Sequence, residues 1–172
     1  RGCTVLHNVY FSSVDWPTIP VLHGHLVLPA TVSLVGIRAF MLCNAITHVS
    51  NDSPLTTFAC CSFMRMYGLV CVNMTTRMIF FNMFEECTAL RTVHLSEKVE
   101  KLGFGAFSGC SSLVTVERDT SDRPFELCES AFDNCTSLTG LKNVPRLSAI
   151  KEDCFRGCTS LEQFPLDECR HV

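Results

Sequence analysis

A phenylalanine recurs at positions 40, 63, 84, 107, 132 and 155, at spacings of 23, 21, 23, 25 and 23 residues. Self-similarity at a period of roughly 20 to 50 residues marks stacked repeats, and it changes how every other residue is read. Each ring opens an apolar run in steps of three: Phe107, Cys110, Leu113, Val116, then Phe132, Cys135, Leu138, Leu141, then Phe155, Cys158, Leu161, Phe164. Upstream lie Phe84, Cys87, Leu90, Val93, then Phe63, Met66, Leu69, Val72, then Phe40, Cys43, Ile46, Val49. Five residues before each ring sits a further apolar residue: Val35, Phe58, Ile79, Leu102, Leu127, Ile150. Small residues precede the ring in most copies (Ala39, Ser62, Ala106, Ala131), which suits a tight inner position where the chain enters a short helix. The run ends in steps that read as a turn feeding a short strand. One such unit buries too little surface to stand alone, so stacked units must share a continuous core.

The N-terminal stretch keeps the spacing from the cysteine onward at Cys3, Leu6, Val9 and Phe11, but Pro17 and Pro20 stand where the ring and helix belong. The reading is a degenerate unit or cap over residues 1–24, followed by repeats over 25–172, with eight strands and six well-formed units. Asn51, Arg118 and Asn143 are polar at the second inward strand position. The run Val99-Glu100-Lys101-Leu102-Gly103-Phe104-Gly105-Ala106-Phe107-Ser108-Gly109-Cys110-Ser111-Ser112-Leu113, and Ala131 to Leu138 after it, resemble the BspA-type leucine-rich repeat. The resemblance implies an α/β solenoid with a parallel β-sheet on one face and short helices or turns on the other. It further implies an adhesin, a surface antigen, or a scaffold module within a larger protein.

Composition narrows the function. A net charge of -3 supplies no basic field, so nucleic acid is not an expected partner. No apolar run approaches the roughly 20 residues that span a bilayer. The chain opens at Arg1, so it is expected to be a fragment or a processed product, and the compartment is open: intracellular is favoured, the cell surface is the alternative.

Twelve cysteines would suggest disulfides or metal in another context. Here Cys43, Cys87, Cys110, Cys135 and Cys158 share one repeat position, where Met66 also stands, so they are read as buried free thiols filling a small apolar slot. Neither Cys60-Cys61 nor Cys154 with Cys158 has a partner pair at zinc spacing, and His23-Gly24-His25 is weaker still. No cofactor is expected. The histidines at 7, 23, 25, 48, 94 and 171 accompany no Gly-x-Ser-x-Gly elbow and no phosphate loop. Of the three glycosylation-type sequences, at Asn51, Asn73 and Asn134, none is strong evidence for secretion.

Function is therefore expected on a surface. The outward sheet positions are His48, Ser50, Cys71, Asn73, Thr92, His94, Thr115, Glu117, Lys142 and Gln163. A second candidate is an apolar patch on the helix side: Met41, Leu42 and Met64 stand where later repeats carry Glu85, Glu86, Ser108, Gly109, Asp133 and Arg156. That patch reads either as a binding surface or as a face covered by a preceding repeat. The expectation is a non-catalytic protein-interaction or scaffold module, one part of a larger chain or assembly, with an adhesin or surface-antigen fragment as the alternative. A recognition domain attached to an enzyme outside this segment is the remote reading.

Overall fold

Val49, Val72, Val93 and Val116 lie between polar neighbours, and a β-branched residue alternating with polar ones favours a half-buried strand. A computed structural model describes residues 9–11, 21–144 and 146–162. In it these valines, with Leu26 and Leu141 at the same position, centre the first strand of successive coils: β3 (His25–Leu28), β5 (His48–Asn51), β7 (Cys71–Met74), β9 (Thr92–Leu95), β11 (Thr115–Arg118) and β13 (Gly140–Lys142). These strands run parallel and in register, so Leu26, Val49, Val72, Val93, Val116 and Leu141 form one inward column. The sheet is completed by β2 (Val21–Leu22), which joins the edge of β3 antiparallel.

Each coil then turns a corner into a second strand: β4 (Val32–Val35), β6 (Thr57–Phe58), β8 (Met78–Ile79), β10 (Lys101–Leu102), β12 (Phe125–Leu127) and β14 (Leu147–Ile150). They bury the apolar residues that stand five before each ring, except Ile150, which is half-buried. A four-stranded sheet, β14-β12-β10-β8, results, and β4 and β6 pair in a second, three-stranded one. The described residues thus hold fourteen strands rather than eight, because a two-residue strand leaves only one apolar position in the sequence. The strand β1 (Val9–Phe11) pairs antiparallel with β4, so it closes an edge instead of adding a further parallel rung.

The third side corrects the expectation of short helices: among the described residues there are none, and turns take their place. In every coil the residues two before and two after the phenylalanine have left-handed backbones, from Arg38 and Leu42 in the first to Asp153 and Gly157 in the last, at φ between 50° and 74°. A right-handed helix cannot pass through two such residues. Between them the backbone alternates in its bonding. Asn82, Phe84 and Glu86 donate their N–H groups to Phe104, Ala106 and Ser108 of the next coil at 2.9, 2.9 and 2.7 Å, while Met83, Glu85 and Cys87 donate three residues back. This side is therefore a third inter-coil ladder, and its backbone is satisfied without helix.

The six rings stack inside with neighbouring centroids 5.2 to 5.7 Å apart and planes within 12°. The thiols of Cys87, Cys110, Cys135 and Cys158 donate to the carbonyl oxygens of Phe63, Phe84, Phe107 and Phe132 in the preceding coil at 3.1 to 3.2 Å. They are donors as well as fillers. Burial pushes Cys87 up to about 12 and Cys158 up to about 11, which keeps the donating proton in place. Cys43 departs from the free-thiol reading, since it is disulfide-bonded.

The polar inward residues divide. Asn51 is buried and satisfied, donating to Ser53 O at 2.7 Å and accepting from Thr75 N at 2.9 Å. Arg118, also buried, donates to Val99 O and Glu97 O at 2.9 and 3.0 Å and lies 5.2 Å over the Phe125 ring. Asn143 is exposed instead, because β13 ends at Lys142 and the backbone turns left-handed there.

Candidate functional site

The parallel register determines which outward side chains meet. His25, His48, Cys71, Thr92 and Thr115 form one column of the long sheet, and Val27, Ser50, Asn73, His94, Glu117 and Lys142 form the next. Rungs in such a column repeat about every 4.8 Å. Nine of the ten predicted stripe positions fall in these two columns; Gln163 lies outside the described residues. Asn73, His94 and Lys142 are exposed, and the others are half-buried.

Two features give the stripe local character. The imidazoles of His25 and His48 stack at 4.1 Å and 6°, and His48 Nδ1 lies 2.9 Å from Thr47 Oγ1. Burial first, and then the neighbouring His25, hold His48 below its ordinary value. Thr115 Oγ1 is buried without a hydrogen-bond partner. The stripe offers mixed donors and acceptors along its two columns.

The patch residues lie on the turn side. Leu42 is 48% exposed, whereas Met41 and Met64 are half-buried, and Leu42 N donates to Met64 O at 3.2 Å. One coil further on, the same side becomes ionic. Arg65 bonds Glu86 at 2.8 Å, and Arg156 grips Asp133 with two bonds of 2.9 Å. Beside them burial, reinforced by Glu86, raises the Glu85 carboxyl above its usual range.

Sequence reasoning missed a third feature. Phe81 and Phe104 are 52% and 38% exposed, with ring centroids 6.0 Å apart, and they border a trough of about 630 Å³ outside the four-stranded sheet. Both stand three residues before a core phenylalanine, where the next coils carry Glu129 and Glu152. That column comparison was the available signal.

Of the glycosylation-type sequences, Asn51 is buried with its amide engaged, whereas Asn73 and Asn134 are exposed. Among the described residues no three His, Cys, Asp or Glu side chains converge as metal ligands would. No described helix is long and apolar enough to cross a membrane.

A family profile described as "BspA type Leucine rich repeat region (6 copies)" matches residues 23–123 and 121–171. No curated protein matches the chain closely enough to count as a relative. Among solved structures, a leucine rich cell surface protein from Faecalibacterium prausnitzii aligns at 18% identity and TM-score 0.53, covering 80% of this chain and 30% of that one. The T. pallidum leucine-rich repeat protein aligns at 22% identity and TM-score 0.54, covering 80% and 78%. At these identities the likeness is one of fold.

Proposed function

The chain belongs to the BspA-type leucine-rich repeat family, and from that premise we propose that it is a non-catalytic protein-binding module whose contact surface is the outward stripe of the long sheet. Repeats of this family serve as protein-interaction or surface modules. The observation that carries the reading is the pair of continuous outward columns, His25 to Thr115 and Val27 to Lys142, on strands bonded in register. A frame of that kind loses little conformational freedom on binding, so its polar groups need not be ordered at the partner's expense. In this proposal residues 25–172 form the repeat region, residues 1–24 its N-terminal cap, and the whole works as one segment of a longer protein or complex.

The test is site-specific photo-crosslinking in native extract. Crosslinkers at Asn73, His94 and Glu117 are expected to capture one discrete partner that a crosslinker at exposed Ser160 does not, and His94→Glu with Glu117→Lys should abolish the capture. Capture that is independent of position would overturn the stripe as the contact surface.

The disulfide at Cys43 favours a second reading, an adhesin or surface antigen working in an oxidising compartment. Mass spectrometry of the chain from its native source decides between them. Oxidised Cys43 with glycan on Asn73 supports the surface setting, and fully reduced cysteines exclude it.

A further inference from the structure

The trough beside Phe81 and Phe104 lies on a different side of the solenoid from the stripe, so its role is independent of the stripe's. Its outer wall is one column. Cys61, Asn82, Gly105 and Ser130 donate their N–H groups to the carbonyls of Phe81, Phe104, Glu129 and Glu152, which sets these four residues on consecutive rungs. Its inner wall includes Met78, Lys101 and Glu126. Its floor is deep at Gly103, where a Cβ would stand 2.9 Å from Ile79 O, so a larger residue cannot let the coils approach as closely.

The trough is apolar at one end and ionic at the other. Phe81 and Phe104 expose rings where the following coils place carboxylates. Glu126 is bonded to Lys101 at 3.1 Å, so its charge is matched. Glu129 and Glu152 make no ion pair among the described residues, and Lys151 is the one other cation lining the trough. Two carboxylates on adjacent rungs, about 4.8 Å apart, can share one guanidinium through its fork of donors.

Spacing selects the occupant. From the aromatic rungs to the acidic rungs is a step of two, about 9.6 Å. A fully extended strand alternates faces and would turn a residue three positions on to the wrong side. A polyproline II segment has three residues per turn and rises ~3.1 Å per residue, so residues i and i+3 share a face about 9.3 Å apart. We propose that this trough binds a proline-rich segment of a partner protein, in which an aromatic residue seats against Phe81 and Phe104 and an arginine three residues later bridges Glu129 and Glu152. Such segments arrive already extended, so little ordering opposes binding in an aromatic-lined groove.

The test titrates the isotopically labelled chain with a capped peptide, Gly-Trp-Pro-Pro-Arg-Gly, and follows backbone amide shifts. The expected result is saturable shifts clustered at residues 81, 104, 129 and 152. Replacing the peptide's arginine by glutamate, or both prolines by glycine, should each weaken binding about tenfold, ~1.4 kcal/mol. Glu129→Lys with Glu152→Lys should reverse the charge preference between the arginine and glutamate peptides. Phe104→Ala should weaken binding by a similar factor, and an unchanged thermal midpoint would show that the ring acts as a contact. Shifts that scatter away from the trough, or equal binding of the arginine and glutamate peptides to the unaltered chain, would overturn the proposal. So would an absence of shifts.

Discussion

The coils around Phe40 and Phe63 and those from Phe107 onward share one backbone, one ring stack and one pattern of left-handed turns, yet their surfaces have little in common. From Val27 to Phe84 the only Asp, Glu, Lys or Arg residues are Arg38, Asp52, Arg65 and Arg77. Ion pairs on the outside gather toward the later coils: Arg123 and Arg77 both reach Glu100, Lys101 reaches Glu126, and Arg156 reaches Asp133, while among the described residues Arg65 to Glu86 is the pair that reaches the first coils. Exposed pairs of this kind contribute only about 0 to 1 kcal/mol each. The geometry common to coils with many such pairs and coils with few is therefore decided by the inward columns, which leaves the outer surface free to vary with what it contacts.

The largest expected effect tests that conclusion. Phe107→Ala removes a ring stacked on both sides and should cost about 3 to 5 kcal/mol, whereas Phe40→Ala, at the end of the stack where the ring meets Phe63, should cost less. Urea unfolding measures both. Equal midpoints for the two variants would mean that the stack is not what carries the common geometry.

A smaller effect separates fold from surface in the first coils. Leu42 holds φ at 62°, a conformation that costs an L-residue roughly 1 kcal/mol or more. Leu42→Gly should therefore raise stability by about 1 kcal/mol while removing an exposed apolar side chain, as the Gly109 and Gly157 positions do in later coils. A stability loss in the same denaturant assay would show that the leucine packs against something essential.

Acid sharpens the contrast further. With His48 held low in the folded chain, the unfolded chain takes up a proton on that ring first, near pH 6.5. Stability contributed by the neutral ring is complete above that pH and declines as the pH falls below it. Hydrogen-exchange protection at β5, after correction for the intrinsic pH dependence of exchange, should fall on acidification more than at β11, and His48→Gln should remove the difference. An equal fall in protection in both strands would contradict this reading. The smallest effect is Lys142→Ala, expected to change stability by less than about 0.5 kcal/mol because the side chain is exposed. A larger loss would put the strand phase in error.

The inward architecture was legible because burial writes itself as spacing: the rings, the thiol column and the central valines all fall where their periods place them. The turns were not, because nine of the twelve left-handed positions flanking the rings carry residues other than glycine, among them Leu42, Cys61 and Glu86. Without glycines, steps of three and four look helical. Arg118 and Asn143 occupied the same repeat position, but only carbonyls at the adjoining corner, Val99 and Glu97, could show that one guanidinium goes inside. The outward stripe followed from strand phase, whereas Phe81 and Phe104 were passed over because an exposed phenylalanine and a core one are the same letter. The Cys43 disulfide had no signal within a column shared by free thiols and Met66.

All three ladders run parallel to the solenoid axis, and each coil bonds only to its neighbours. Tension along that axis therefore loads the ladders in series, and the chain should yield by shedding one coil at a time from an end rather than by failing as a block. Each event releases a coil of 21 to 25 residues, which at about 3.4 Å per residue lengthens the molecule by ~70 to 85 Å. Stretching would dissipate work in regular steps, with the stacked rings setting the force of each step and the surface charges having little part in it.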